Sequence, residues 1–209
     1  MKRRVRIYVE GGATGKTADA DFRRGWGTFL SELRDIAQAN GYHTLTIVRG
    51  KGRSATFKDF RNHKTNFPED LCVLLVDAET DAPPQVPVWD VVKNRKGDGW
   101  SRPSWATDRH LYLMTHFVET WLLTDHDALV RFFKRGFAAK YLPTTKLEER
   151  SKDDVEKALK KATKDCQRGC YRHGQAHEVI EKVAPEKVKT LFHGSRLFEE
   201  MDKLIRDIP

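Results

Sequence analysis

The sequence predicts an α/β protein, a mostly parallel sheet flanked by helices with a helical C-terminal part. Two observations carry this. In the first 80 residues, short β-branched apolar stretches at 5–9, 45–48 and 71–76 alternate with segments of helical period. The third stretch, Leu-Cys-Val-Leu-Leu-Val, is a continuous apolar run of the kind buried on both faces of a parallel sheet. A third observation sets the C-terminal boundary: beyond Leu142-Pro143 the pattern is polar and helical throughout. We therefore expect a core over 1–142, containing a long loop at 81–103, and a helical extension over 143–209 packed on it.

The elements follow in order. Val5, Ile7 and Val9 alternate with Arg4, Arg6 and Tyr8 in the first strand, which Gly11, Gly12 and Gly15 break. Phe22, Trp26, Phe29, Leu30, Leu33, Ile36 and Ala37 fall on one helical face, closed by Asn40-Gly41. The second strand holds Leu45, Ile47 and Val48, and a basic helix over 54–63 follows with Ser54 as its expected N-cap. The stretch 110–114 fits a fourth strand or a helix start equally well. Phe117, Trp121 and Leu122 suit a helix, and Thr124-x-x-Asp127 is a capping pattern for another over 125–133. Further helices are expected at 152–164, 175–183 and 185–205, the last broken at Gly194.

Composition excludes several classes. The 209 residues are 39% hydrophobic with 11 Phe, 5 Trp and 5 Tyr, enough core material to argue against intrinsic disorder. No apolar stretch reaches the roughly 18 residues of a membrane helix. The basic start lacks a signal-peptide apolar region, so a cytoplasmic protein is expected. Three cysteines argue against a disulfide framework. The net charge of +8 is uneven: 49–64 and 157–172 each hold six Lys/Arg against one acid. Arg49, Lys51, Arg53, Lys58 and Arg61 in the first run suit a phosphate backbone, and a solvated helix face explains the same charges equally well.

Acids mark the ends of the strands. Glu10 follows the first strand; Asp77 and Glu79 follow the third. Ligands of open parallel sheets collect outside the carboxyl ends of the strands, so the three can converge. Three carboxylates facing one point repel unless a divalent cation neutralises them, and Mg²⁺, with Mn²⁺ as a substitute, suits such hard oxygen donors. A metal held between carboxylates and a phosphate oxygen serves phosphodiester cleavage. The bland reading makes each acid a cap or turn residue.

Glu10-Gly11 after one strand and Asp77-x-Glu79 after another resemble the Toprim signature of a Glu-Gly turn and an Asp-x-Asp. The stretches IYVEGG, FRRGWGTFL, RGKGRSATFKDF, LLVDAE, GWSRPSWATDRHLYLM and ETWLLTD, and more weakly YRHGQAH, resemble the prokaryotic Toprim-like family known as domain-of-unknown-function 4276. The resemblance implies a Toprim-like core and Mg²⁺-dependent cleavage of DNA or RNA. It also implies partner ATPases of AAA or overcoming-lysogenization-defect type in anti-phage loci, and leaves assembly into oligomers open. It makes Glu10 a general acid/base or metal ligand, Asp77 and Glu79 metal ligands, and Glu119, in the Glu-Thr-Trp stretch, a further catalytic acid. Glu79 departs from the family's Asp by one methylene. Arg53 would hold the scissile phosphate by bidentate hydrogen bonds.

Other readings stand beside this one. Residues 10–17 nearly spell a P-loop, but Glu10 occupies the position of its first glycine. A P-loop-like NTPase is the runner-up, and a non-catalytic subunit binding nucleic acid or an ATPase is the third reading. Cys166, Cys170, His173 and His177 have zinc-type side chains without the usual finger spacing. Trp89 and Trp100 in the 81–103 loop are expected at a partner interface if exposed, or in the core if not.

Overall fold

In the computed structural model, residues 2–11 and 16–207 are described. They form four strands and ten α-helices. The strands β1 (Val5–Val9), β2 (Leu45–Arg49), β3 (Leu71–Asp77) and β4 (Leu111–Met114) make one sheet in the order β2-β1-β3-β4, all parallel. The stretch that fitted strand or helix is therefore β4. Its pairing with β3 satisfies backbone groups that would otherwise be buried unpaired.

Helices cover both faces, and strand alternation sorts side chains between two cores. Val5, Ile7 and Val9 of β1, with Leu71, Val73 and Leu75 of β3, face the larger core. It is built with α1 (Lys16–Phe29), α2 (Ser31–Ala39), α5 (Val118–Leu122) and α6 (His126–Phe133). The C-terminal α7 (Lys152–Thr163), α8 (Ala176–Val179), α9 (Pro185–Val188) and α10 (Phe192–Asp207) add Val155, Leu159, Val179, Val188 and Leu197 to that same core. Tyr8, Cys72, Leu74 and Val76 face the smaller core with α3 (Arg53–Asn66) and α4 (Val88–Asn94). The continuous apolar run of β3 thus serves two faces.

Several expectations need correction. The helix expected through 22–37 is two helices meeting at Leu30, where ψ opens to 21°. Hydrogen bonds from Leu30 N–H to Trp26 O and from Arg34 N–H to Leu30 O span the joint, so the apolar period continues through the kink. Helix α3 is capped by Gly52, not Ser54; φ of 91° at Gly52 turns the chain out of β2 in a way that a β-carbon would oppose. Asp125, not the Thr124 pattern, caps α6 by accepting from Ala128 N–H, while the Thr124 hydroxyl donates to Trp121 O. The helix expected over 175–183 is only α8 between two 3₁₀ turns. Gly194 lies inside α10; the break falls before Phe192. A β-carbon at Gly194 would sit 2.1 Å from Val188 O, so this glycine permits a close crossing and does not end the helix.

The segment 81–103 contains α4, and its tryptophans are buried. Trp100 stacks on Phe57 at 4.4 Å between centroids, and Trp89 packs on Phe57 and Phe60 and donates to Thr107 O. Both are 5% exposed, which removes them as partner contacts. Among the described residues, no helix is long and apolar enough to cross a membrane.

Candidate metal centre

The strand order explains why the acids meet. The chain leaves β1 for β2 on one side and returns to β3 on the other, so the carboxyl ends of β1 and β3 flank the reversal point where open sheets bind ligands. Glu10 N–H donates to Leu75 O at 3.0 Å, extending the β1–β3 pairing to the end of β1. Asp77 is the last residue of β3. Glu79 follows in the left-handed region at φ 65°, a conformation costing a residue with a β-carbon about 1–2 kcal/mol. Its N–H is fixed on His116 O at 2.8 Å. Glu10, Asp77 and Glu79 each offer a carboxylate oxygen, and the three oxygens lie within 4.8 Å of one another.

The three line a cleft of about 170 Å³ together with Gly11, Gly52, Lys152, His173 and His177. Asp77 Oδ1 accepts from Val118 N–H at 3.0 Å. Burial, then the charges of Glu10 and Glu119, push the Asp77 carboxyl well above the usual carboxylate range. Burial also raises Glu10, against the pull of Arg53. Lys152 Nζ lies 2.6 Å from Glu79 Oε2 and over the Phe117 ring. The donor set fits a hard divalent cation: all oxygen, close together, and costly to ionise without a counter-charge. Such an ion would draw Glu10 and Glu79 from their present partners, Arg53 and Lys152.

The basic residues divide. Arg53 donates through Nε and Nη2 to Asp98 and through Nη1 to Glu10 Oε2 and to Asp77 O, and its guanidinium lies 4.8 Å from the Trp100 centroid. It holds the cleft's acids in place, and gripping a phosphate would require exchange of these partners. The Arg49 side chain is 7% exposed, paired with Asp19 and set over Phe22, so its charge is already spent. Lys51, Lys58 and Arg61 are exposed.

Glu119, the further acid, lies on α5 inside the molecule. It is fully buried, and its Oε1 accepts from the Tyr171 hydroxyl at 2.6 Å and from His173 Nδ1 at 2.7 Å. Cys166, Cys170, His173 and His177 do not converge; among the described residues, the acid trio is the one group able to hold a metal. Gly12 to Gly15 of the P-loop-like stretch lie outside the described residues. Sequence reasoning missed Asp98 and Lys152. Asp98 stands between Gly97 and Gly99 and reads as a turn residue; Lys152 reads as an ordinary first-turn lysine.

The molecule is thus an α/β protein with a carboxylate cluster at the switch point of a parallel sheet. The chain belongs to the family described as Domain of unknown function (DUF4276), whose model matches residues 27–201. The match begins downstream of Glu10 and includes Asp77, Glu79 and Glu119. No curated protein matches the chain, and no solved structure does.

Proposed function

We propose that the chain is a divalent-cation-dependent nuclease of Toprim type that hydrolyses phosphodiester bonds in DNA or RNA. The observation that supports this best is the convergence of Glu10, Asp77 and Glu79 within 4.8 Å at the carboxyl ends of adjacent parallel strands. These three would hold Mg²⁺ or Mn²⁺. Bound there, the cation would polarise the phosphate and lower the pKa of a bound water.

The chain's own groups would do the rest. The Val118 N–H fixes the Asp77 carboxylate, while Arg53 and the Asp77 N–H orient Glu10. Lys152 brings a positive charge to the cleft that can meet a phosphate oxygen once Glu79 turns to the metal. Exposed Lys51, Lys58 and Arg61, on and just before α3, draw in the nucleic-acid backbone without reading its sequence. The family resemblance adds the setting we propose: a cytoplasmic effector in anti-phage defence, governed by an ATPase of AAA or overcoming-lysogenization-defect type.

The test incubates purified chain, alone and with an ATPase of the proposed type, with plasmid DNA, single-stranded DNA and tRNA in Mg²⁺, Mn²⁺ or EDTA. Cleavage that needs the metal and falls at least about 10²-fold in Asp77→Asn supports the reading. A folded protein that cuts none of these substrates in either metal, with and without the ATPase, refutes it.

A further inference from the structure

Glu119 and Tyr171 place a histidine at the acidic cleft. Glu119 has no solvent exposure, and two donors meet at its Oε1. One donor is the Tyr171 hydroxyl, whose residue is itself anchored by its N–H on Thr163 Oγ1 at 2.7 Å. The other is His173 Nδ1. Among the described residues, Oε2 is buried without a hydrogen-bond partner; the contact at Oε1 aligns an imidazole whose side chain is 66% exposed. His173 opens a 3₁₀ turn and lines the cleft with Glu10, Asp77 and Glu79. With Nδ1 committed to Glu119, the proton available to a ligand is the one on Nε2. His173 is outside the metal-holding group, so its lone pair is not needed as a ligand.

We propose that His173 is the general acid of the cleavage reaction, giving its Nε2 proton to the leaving oxygen of the phosphodiester, with Glu119 as its positioning residue. The proposal rests on the nuclease reading above. Water oxygen forms the new bond to phosphorus, and the bond to the leaving 3′ or 5′ oxygen breaks with its electron pair. That oxygen departs as a hydroxyl with the proton from His173, the attacking water loses its proton to solvent, and solvent reprotonates the imidazole. This arrangement matches the carboxylate–histidine pairs that fix a ring's orientation and favour its charged form.

The surroundings suit the role. The Glu119 hydrogen bond raises His173 against its partial burial, and the charges of Glu119, Asp77 and Glu156 add to this. Tyr171, on the same segment, stays protonated because burial and Glu119 push its pKa up. His177 on α8 is driven down to about 4 by burial, Arg49 and His173, so it stays neutral beside a charged His173. Lys152, the cation of the same cleft, opposes the imidazolium and is itself paired with Glu79. Activity should therefore fall as pH rises through the elevated His173 pKa.

The test compares wild type with His173→Ala on a strand of the nucleic acid that the wild type cuts, DNA or RNA, carrying an ordinary linkage, and on strands with sulfur at the 3′ or the 5′ bridging position, under the same metal and ATPase conditions. A thiolate leaves without a proton. We expect His173→Ala to slow the ordinary linkage about 10²-fold, to stay within about threefold of wild type on one bridging-sulfur strand, and to lose the alkaline fall of rate. Equal loss on all strands, or none, overturns the proposal while leaving the nuclease reading intact. A folded wild type that cuts neither DNA nor RNA in Mg²⁺ or Mn²⁺, with and without the ATPase, overturns both. An NMR titration of metal-free protein adds a readout free of activity: His173 should titrate above the ordinary histidine value, and lower in Glu119→Gln. An unchanged titration in folded Glu119→Gln removes Glu119 from its positioning role.

Discussion

Asp70 and Asp77 bracket the same strand, and their surroundings are opposite. At the amino end, Asp70 accepts from Arg4 N–H at 3.0 Å and Arg6 Nε at 2.8 Å, with His63 Nε2 at 3.7 Å. That carboxylate has a donor on each oxygen, and neighbouring His63 is tied to the Tyr8 hydroxyl at 2.7 Å. At the carboxyl end, Asp77 is crowded by Glu10, Glu79 and Glu119, whose charges all oppose its ionisation. A buried acid surrounded by donors stabilises the fold, whereas one surrounded by acids costs stability and is poised for a cation. Residue type and strand are the same, so the neighbours that the topology brings decide the role.

The contrast can be broken at either end. The largest effect is expected for Asp70→Ala, which strands Arg6, 17% exposed, against the sheet: a loss of about 3–5 kcal/mol in urea unfolding, with metal binding by the folded fraction unchanged. Loss of metal binding there would dissolve the distinction. Next comes Trp100→Ala. Trp100 stacks on Phe57 and on the Arg53 guanidinium, so removal should cost about 3 kcal/mol and loosen the residue that orients Glu10. A stable variant would show that Trp100 is not part of the core.

Asp77→Asn should go the other way. Because the folded-state pKa of Asp77 is raised, the metal-free native state binds this proton more tightly than the unfolded state does. Its ionisation therefore weakens the fold as pH rises. Asparagine keeps an acceptor for Val118 N–H without the charge, so metal-free Asp77→Asn should gain about 1 kcal/mol at pH 7. The gain should shrink as pH falls toward the ordinary value of 3.8. Calorimetry across pH checks it, and a less stable Asp77→Asn would contradict the crowding argument. Smallest is the effect of Lys58→Ala with Arg61→Ala: stability within about 0.5 kcal/mol, and a salt dependence of nucleic-acid binding reduced by about one unit per charge. An unchanged salt slope would place the backbone track elsewhere.

The first three strands were legible because they carry period-2 or continuous apolar runs, a local signal; β4, four buried residues, could not be told from a helix start by period alone. Helix ends were less legible. Gly52 outcompeted Ser54 as a cap because the turn out of β2 needs a positive φ, which no local pattern announces. Gly194 looked like a break because the close approach of Val188 is a tertiary fact. At the site, Glu10, Asp77 and Glu79 were legible as strand-end acids, but their convergence depends on β1 and β3 being neighbours, which order in the chain does not reveal. Arg49 and Arg53 were read as part of one basic run, yet folding spends both on Asp19, Glu10 and Asp98. A run of charge records composition, and only packing shows which charges remain free.

The central claim is that the crowded end of β3 is completed by a divalent cation. Its most direct test is the uptake of Mn²⁺ by metal-free protein, followed by calorimetric titration with thermal unfolding at each addition. The account predicts saturable binding of one or two ions per chain with a rise in Tm, both lost in Asp77→Asn. A folded wild type that takes up no Mn²⁺, or an Asp77→Asn variant that binds it equally well, would contradict it.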